Sequence, residues 1–313
     1  MATTLEQQMP TAPLADEAAE ARKMVPHKRK PISPGTMLAF ALLIGMTILF
    51  IMPFLWMFST SLKDFDDLAG TNWIPKVVTW DNYTKAFSFG MWDVWAMNTI
   101  IITALSVLGT LLSTSLVAYS FARLRWPGRD MMFGLVLATM MLPTAVTLIP
   151  QFILFSKLPS FGIQGSQSWV NTFLPLIVPA FTGNAFYIFL TRQFMRGIPM
   201  ELSEAAKIDG ASELRIWWSV VLPLTKPVMA AVAIFTFQGA WEDFMGPLLY
   251  LQSEKLYTLQ LGLRVFDAAA GGAPAWNWLM AASLVVMLPV LIIFIIFQRY
   301  FIEGVTLSGM GGR

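Results

Sequence analysis

The run from Thr36 to Phe58 contains no charged residue over 23 positions. As a helix it would be about 34 Å long, enough to cross the hydrocarbon of a bilayer. Five more apolar runs follow: Trp95–Phe121, Met131–Gln151, Trp169–Thr191, Pro227–Leu251 and Trp276–Phe297. In lipid every backbone polar group must be satisfied within the protein, so runs of this length form helices. The expected fold is therefore all-α, a polytopic membrane protein with six transmembrane helices. The rival reading of the first run is a cleaved signal peptide. It is too long for a signal core and lacks a small-residue cleavage site.

Composition removes other classes. Charged residues are 13% of the chain, about half the share usual in soluble domains. With no cysteine, there is no material for disulfides or thiolate metal sites. The single histidine, His27, lies in a polar stretch, so a catalytic triad or a multi-histidine metal centre has none either. No G-x-x-x-x-G-K-[ST] run occurs, so the chain cannot cradle nucleotide phosphates in a P-loop.

The segments between the runs predict an orientation. With the N-terminus inside, the inside segments hold 15 Lys and Arg and the outside segments six. Positive residues favour the cytoplasm. Both termini are then cytoplasmic, together with the loop 192–226. Residues 1–35, rich in proline, are expected to be a disordered tail that ends in a basic run. Residues 36–300 form the six-helix domain and 301–313 a short tail. Trp73, Trp80, Tyr83 and Trp92 fall in an outside segment and suit a membrane–water boundary.

Within the cytoplasmic loop, Glu204–Pro227 reads EAAKIDGASELRIWWSVVLPLTKP. The pattern predicts two short helices broken at Asp209–Gly210. Ala205, Ala206 and Ile208 give the first an apolar side, bordered by Glu204 and Lys207. Gly210 supplies a bend with positive φ, which few other residues tolerate. Ser212 is a suitable N-cap for the second helix, which is expected to run to Leu222 and stop before Pro223. A knob of this shape, held outside the membrane by spans on both sides, is suited to docking.

Glu204, Ala205, Ala206, Gly210, Leu222 and Pro223 resemble the EAA–G–LP loop of permease subunits in binding-protein-dependent ABC importers. The fuller EAAxxDGA, with Asp209, followed by LPxxxP, is similar to the carbohydrate-uptake branch, and within it to the smaller permease of the maltose type. Weaker similarity covers PFLWMFSTSLK (Pro53–Lys63), Asn98–Thr99, AYSFARLRWPGRD (Ala118–Asp130) and FQRYFIEGVTLSGMGG (Phe297–Gly312). The resemblance implies one half of a permease pair in the inner membrane of a prokaryote. Its implied partners are a second permease subunit, an ATPase dimer, an extracytoplasmic solute-binding protein, membrane lipid and a sugar or sugar derivative, with no nucleic acid. It implies no cofactor on this chain, since ATP and Mg would sit on the ATPase subunits, and no enzymatic activity of its own. In that family the loop is the coupling helix seated in a groove of the ATPase. Glu204 would then meet a partner cation, Ala205 and Ala206 would allow close approach, and Asp209 and Gly210 would set the bend.

Glu242 and Asp243 are the acidic pair within an apolar run. Buried ionisable groups usually face a cavity or a partner. With Gln238 and Trp241 they are candidates for the substrate path or for contact with a partner. Equally, they could sit at the outer interface beside Trp241. The family often has Trp-Asn-Glu/Asp where this chain has Trp241-Glu242-Asp243, which leaves any role carried over to Glu242 in doubt. Asn171, Asn184, Tyr187 and Gln193 are scattered polar residues best read as interhelical hydrogen-bonding groups. The alternative function is a self-contained secondary transporter or channel for a small polar solute, against which stand few buried charges and no evident inverted repeat.

Overall fold

The computed structural model describes residues 34–70, 72–269 and 275–309. The expected disordered tail, the basic run before the first span and His27 lie outside the described residues, apart from the tail's last two positions. The chain divides into two units after Phe54. Over its described residues the first is the apolar beginning of helix α1 (Pro34–Ser61), which contains Pro53.

The second unit is built around one long helix. After α2 (Asp81–Ser88), α3 runs from Trp92 to Arg123. Its 32 residues make a rod of about 48 Å. The buried positions of α3 are mostly small or hydroxylated, including Thr103, Ser106, Gly109, Thr110, Ser113 and Ala118. Small side chains let other backbones approach closely, which is how helices associate in lipid. A Cβ at Gly109 would stand 2.5 Å from the Phe181 ring, so only glycine fits there.

The third expected span is two helices. α4 (Arg129–Thr139) and α5 (Thr144–Lys157) meet at 99° across a short break. Pro143 causes it, because its ring removes an amide hydrogen and pushes the preceding residue out of the helical region. The fourth span also carries a break. α6 (Leu174–Ile177) passes into a 3-10 turn over Val178–Thr182, Gly183 has φ +95, and Asn184 caps α7 (Ala185–Arg196). The interrupted backbone is satisfied from α3, where Ser106 Oγ donates to Leu176 O at 3.3 Å and Ser113 Oγ to Ala180 O at 2.9 Å. Non-helical backbone persists in a bilayer only where the protein supplies such partners.

α8 (Glu201–Ile208), α9 (Glu213–Ile216) and α10 (Leu222–Leu224) form the loop between spans four and five. α11 (Lys226–Trp241) and α12 (Met245–Tyr250) make span five, with a break at Glu242–Phe244. After α13 (Leu259–Ala269), α14 begins at Trp276, as expected, but continues beyond Phe297 to Gly309. What reads as a separate tail from residue 301 is, as far as Gly309, the continuation of that helix. Among the described residues four helices are long and apolar enough to cross a membrane, or up to six if each sharply bent pair counts as one span.

The two ends of α3 carry different structures. At its N-terminal end, Trp95 Nε1 donates to Glu254 O at 3.0 Å, Asn98 Nδ2 donates to Lys255 O and Tyr257 O, both at 2.9 Å, and Thr99 Oγ1 accepts from the Leu259 amide at 2.9 Å. At its C-terminal end sits the loop between α7 and α11. The polar connection after span five and the helical loop after span four are therefore on opposite ends of a rod longer than a membrane is thick.

Candidate functional site

The EAA-type loop folds as the helical hairpin its residues predict. α8 ends in a Schellman motif: the Ala211 amide donates to Ala206 O at 2.9 Å and the Gly210 amide to Lys207 O at 3.0 Å. Gly210 takes φ +78, the left-handed conformation such an ending needs, and open space surrounds the position a Cβ would fill. Ala206 and Ala211, the pair whose apolar contact accompanies this motif, both pack on one cluster of Ala118, Tyr119, Met195, Ile216, Trp217 and Val221. Ser212 then caps α9, its Oγ accepting from the Arg215 amide at 3.4 Å.

Two differences from expectation concern the edges of the loop. Arg192 is not in the loop; it is a buried residue of α7, which runs to Arg196. Nor does Pro223 stop the second helix. A π turn over Trp217–Val221 precedes it, and helix continues through α10 to Leu224. The wider turn relieves the clash that a proline ring makes with the carbonyl four residues back. The rod turns instead at Thr225, where Glu213–Leu224 and α11 meet at 81°.

Four side chains bolt the hairpin down, and their contacts are not evident from local sequence rules. Glu213 receives the Lys207 ammonium at 2.6 Å, tying the two helices together, and the Tyr119 hydroxyl at 2.7 Å, tying them to α3. The Lys207 bond, and after it the Tyr119 bond, hold the Glu213 carboxyl below the usual glutamate range. At the hairpin's root the buried Arg123 guanidinium donates from Nη2 to Met195 O at 2.8 Å and Ile198 O at 2.7 Å.

The outward side is different. Glu204 and Ala205 are exposed, as expected of contact residues, and Asp209 is exposed at the bend. Ala206 does not belong to this face: it is the inward residue of the pair. The apolar outward residues are Ile208 (87% exposed), Leu214 (69%), Trp218 (61%) and Leu202 (44%). Of these, sequence reasoning singled out Ile208 alone. Leu222 and Pro223 lie on the connection to α11.

The four candidates in span five do not form one site. Trp241 is buried, donates from Nε1 to Val286 O at 3.0 Å and stacks on Phe237. It packs the bundle and also borders an apolar cavity of about 450 Å³ with Ile100, Ala104, Ile234 and Phe237. Gln238 and Glu242 are exposed, and Asp243 Oδ1 accepts from the Gly246 amide at 3.0 Å, capping α12. Asp243 is thereby given a structural task at the helix break. A cavity of about 440 Å³ lies beside Gly239 and Ala240 instead, lined by Ser106, Thr110, Thr182, Asn184, Tyr187 and Thr236. Asn184 also caps α7, and with Tyr187 it lines this cavity. Among the described residues no group of His, Asp and Glu could hold a metal ion.

Residues 113–306 match the family described as the binding-protein-dependent transport system inner membrane component. The chain is 32% identical over 272 residues to the arabinooligosaccharides transport system permease protein AraQ of Bacillus subtilis, covering 85% of this chain and 92% of that protein. It is 33% identical over 279 residues to the galactooligosaccharides transport system permease protein GanQ of the same organism, covering 88% and 95%. Its fold is similar, with TM-score 0.74 and 21% identity, to a chain in the crystal structure of a bacterial ABC transporter that imports the acidic polysaccharide alginate, covering 94% of this chain and 100% of that one.

Proposed function

The chain belongs to the family of binding-protein-dependent transport system inner membrane components, and we propose that it couples an ATPase to sugar import through the hairpin between α7 and α11. It is a multi-pass transport component and not an enzyme. The observation that carries the coupling reading is the two-sidedness of the hairpin. Its inner side is packed and bonded to α3 and α7. Its outer side exposes Ile208, one turn from Glu204, and Leu214, one turn from Trp218. Large apolar residues left exposed on a polar connection suit a protein contact.

The partner is a cytoplasmic ATPase, because this chain has no P-loop to hold ATP and Mg itself. Glu204 meets a cation of that partner, a charge-assisted contact. ATP binding moves the hairpin as a lever, and the single hinge residue Thr225 passes the movement into α11. The spans then rock between inward- and outward-facing states. A second permease subunit supplies the other half of the path, and an extracytoplasmic binding protein delivers the solute. The relatives' names, arabinooligosaccharides and galactooligosaccharides transport system permease proteins, support a sugar or sugar derivative. The cavity beside Gly239 offers a solute the hydroxyls of Ser106, Thr110, Thr182 and Thr236 and the amide of Asn184 among apolar neighbours such as Leu176 and Pro179.

This reading puts the hairpin and both termini in the cytoplasm. The chain has no cysteine, so single-cysteine labelling is clean. Ile208→Cys should react with an impermeant maleimide only from the cytoplasmic face, and Phe161→Cys, 91% exposed in the loop after α5, only from the opposite face. The reverse pattern would overturn the orientation and the coupling role with it.

A further inference from the structure

Beside the root of the hairpin, five arginines share one cavity. Arg123, Arg125, Arg129, Arg192 and Arg196 line a space of about 530 Å³ in which Asp130 is the carboxylate. Three of the five are partly engaged. Arg123 holds the carbonyls of Met195 and Ile198. Arg129 pairs with Asp130 at 2.9 Å and donates to Leu124 O at 3.2 Å. Arg192 donates to Phe121 O at 3.2 Å and lies 4.0 Å over the Phe133 ring. Arg125 and Arg196 make no hydrogen bond or close ion pair among the described residues. The buried Nε of Arg123 has no acceptor there either.

One carboxylate cannot neutralise five guanidinium groups held in one space, and the one present is mostly solvent-facing, with 75% of its side chain exposed. We propose that this cavity binds a phosphate-type anion, and that the anion is the headgroup of an acidic phospholipid. The guanidinium fork matches phosphate oxygens two at a time, which favours this chemistry over a simple halide. Two features favour a lipid as its source. Met131 and Leu135, one turn apart on α4 next to the cavity, are 75% and 60% exposed and offer an apolar track for acyl chains. Trp126 lines the adjoining space with Arg125 and Arg129, and tryptophan is enriched at the headgroup level. Met200, the residue before α8, also lines the cavity. An occupied site therefore braces the point where the hairpin leaves the bundle.

The test is lipid retention by the full chain in detergent, read by native mass spectrometry after exchange into phosphatidylcholine with or without phosphatidylglycerol. Wild type should keep bound phosphatidylglycerol. R125Q/R196Q should bind it about twenty-five-fold more weakly, because each arginine near an acidic lipid contributes roughly a factor of five. R125K/R196K keeps the charge and should retain the lipid more strongly than the glutamine pair. Inorganic phosphate, added as a competitor, separates the sources. Failure to displace the lipid supports the headgroup, and displacement supports a phosphate site open to soluble ligands. Equal retention by wild type and R125Q/R196Q would overturn the proposal. So would loss of a co-purified ATPase in the double variant without any change in lipid retention, which would assign these arginines to the protein partner.

Discussion

The Tyr119 hydroxyl donates to Glu213 Oε2 at 2.7 Å, so the last turns of α3 grip the second helix of the hairpin directly. That bond crosses from a membrane span to the element proposed to carry movement. Tyr119→Phe keeps the ring packed among Ala118, Met195 and Ile216 and removes only the hydroxyl. A half-exposed bond to a carboxylate contributes about 1 kcal/mol. The expected outcome is a small drop in thermal stability and a clear loss of coupling, read as ATPase activity that no longer rises when solute-loaded binding protein is added. A fall in stability with full stimulation would separate the bond from the coupling.

The same carboxylate makes the hairpin sensitive to acid. Glu213 titrates below its ordinary value because Lys207 and then Tyr119 hydrogen-bond its charged form. A depressed carboxyl contributes its stabilisation above the unfolded-state pKa, about 4.3, and loses it as pH falls through the lower folded value. A spin label on Ile208→Cys should therefore keep its neutral-pH mobility down to the ordinary carboxylate range and become more mobile below it. Adding Glu213→Gln should give the more mobile spectrum at every pH. The same spectrum throughout, with and without Glu213, would remove the clamp from the account.

Gly210 offers a test of backbone conformation without a steric confound. Nothing lies within 4 Å of where its Cβ would be, so a substitution acts through the strain of φ +78 alone. Gly210→Val should cost about 1–2 kcal/mol or reshape the bend, since a β-branched residue is poorly tolerated there. Gly210→Asn should be milder, because asparagine enters the left-handed region more readily. The order Gly, Asn, Val should hold for both solute uptake and ATPase retention. Wild-type uptake by Gly210→Val would show that the bend is not needed.

How legible all this is in the sequence depends on the range of the interactions. The hairpin was readable because its determinants are local: Gly210 ends one helix, Ser212 starts the next, and three to five residues settle each hydrogen bond. The clamp was not, because Lys207, Glu213 and Tyr119 meet only once the turn closes and α3 is alongside. The six apolar runs marked the spans, yet the 99° break before Thr144 and the pause at Glu242–Phe244 are not visible in length or composition. Proline signals where a helix can break, but not by what angle. Trp241 reads as a path residue beside two acids, and the reach of its indole to Val286 is a long-range contact that no local pattern shows. Asn184 and Tyr187 are three residues apart, but they share a cavity with Ser106, Thr110 and Thr236 only once α3 and α11 are alongside.

The central claim is that the outward face of the hairpin binds an ATPase. The direct measurement is purification of the chain, expressed with its genomic neighbours, in gentle detergent, comparing wild type with Glu204→Arg and Ile208→Asp. Both positions are exposed and have no packing role, so the variants should fold. The expected result is a stoichiometric ATPase with wild type and its loss, by about tenfold or more, from each variant. Undiminished ATPase in both variants would contradict the claim, as would wild type purifying alone with solute uptake driven by an ion gradient, the behaviour of a secondary carrier.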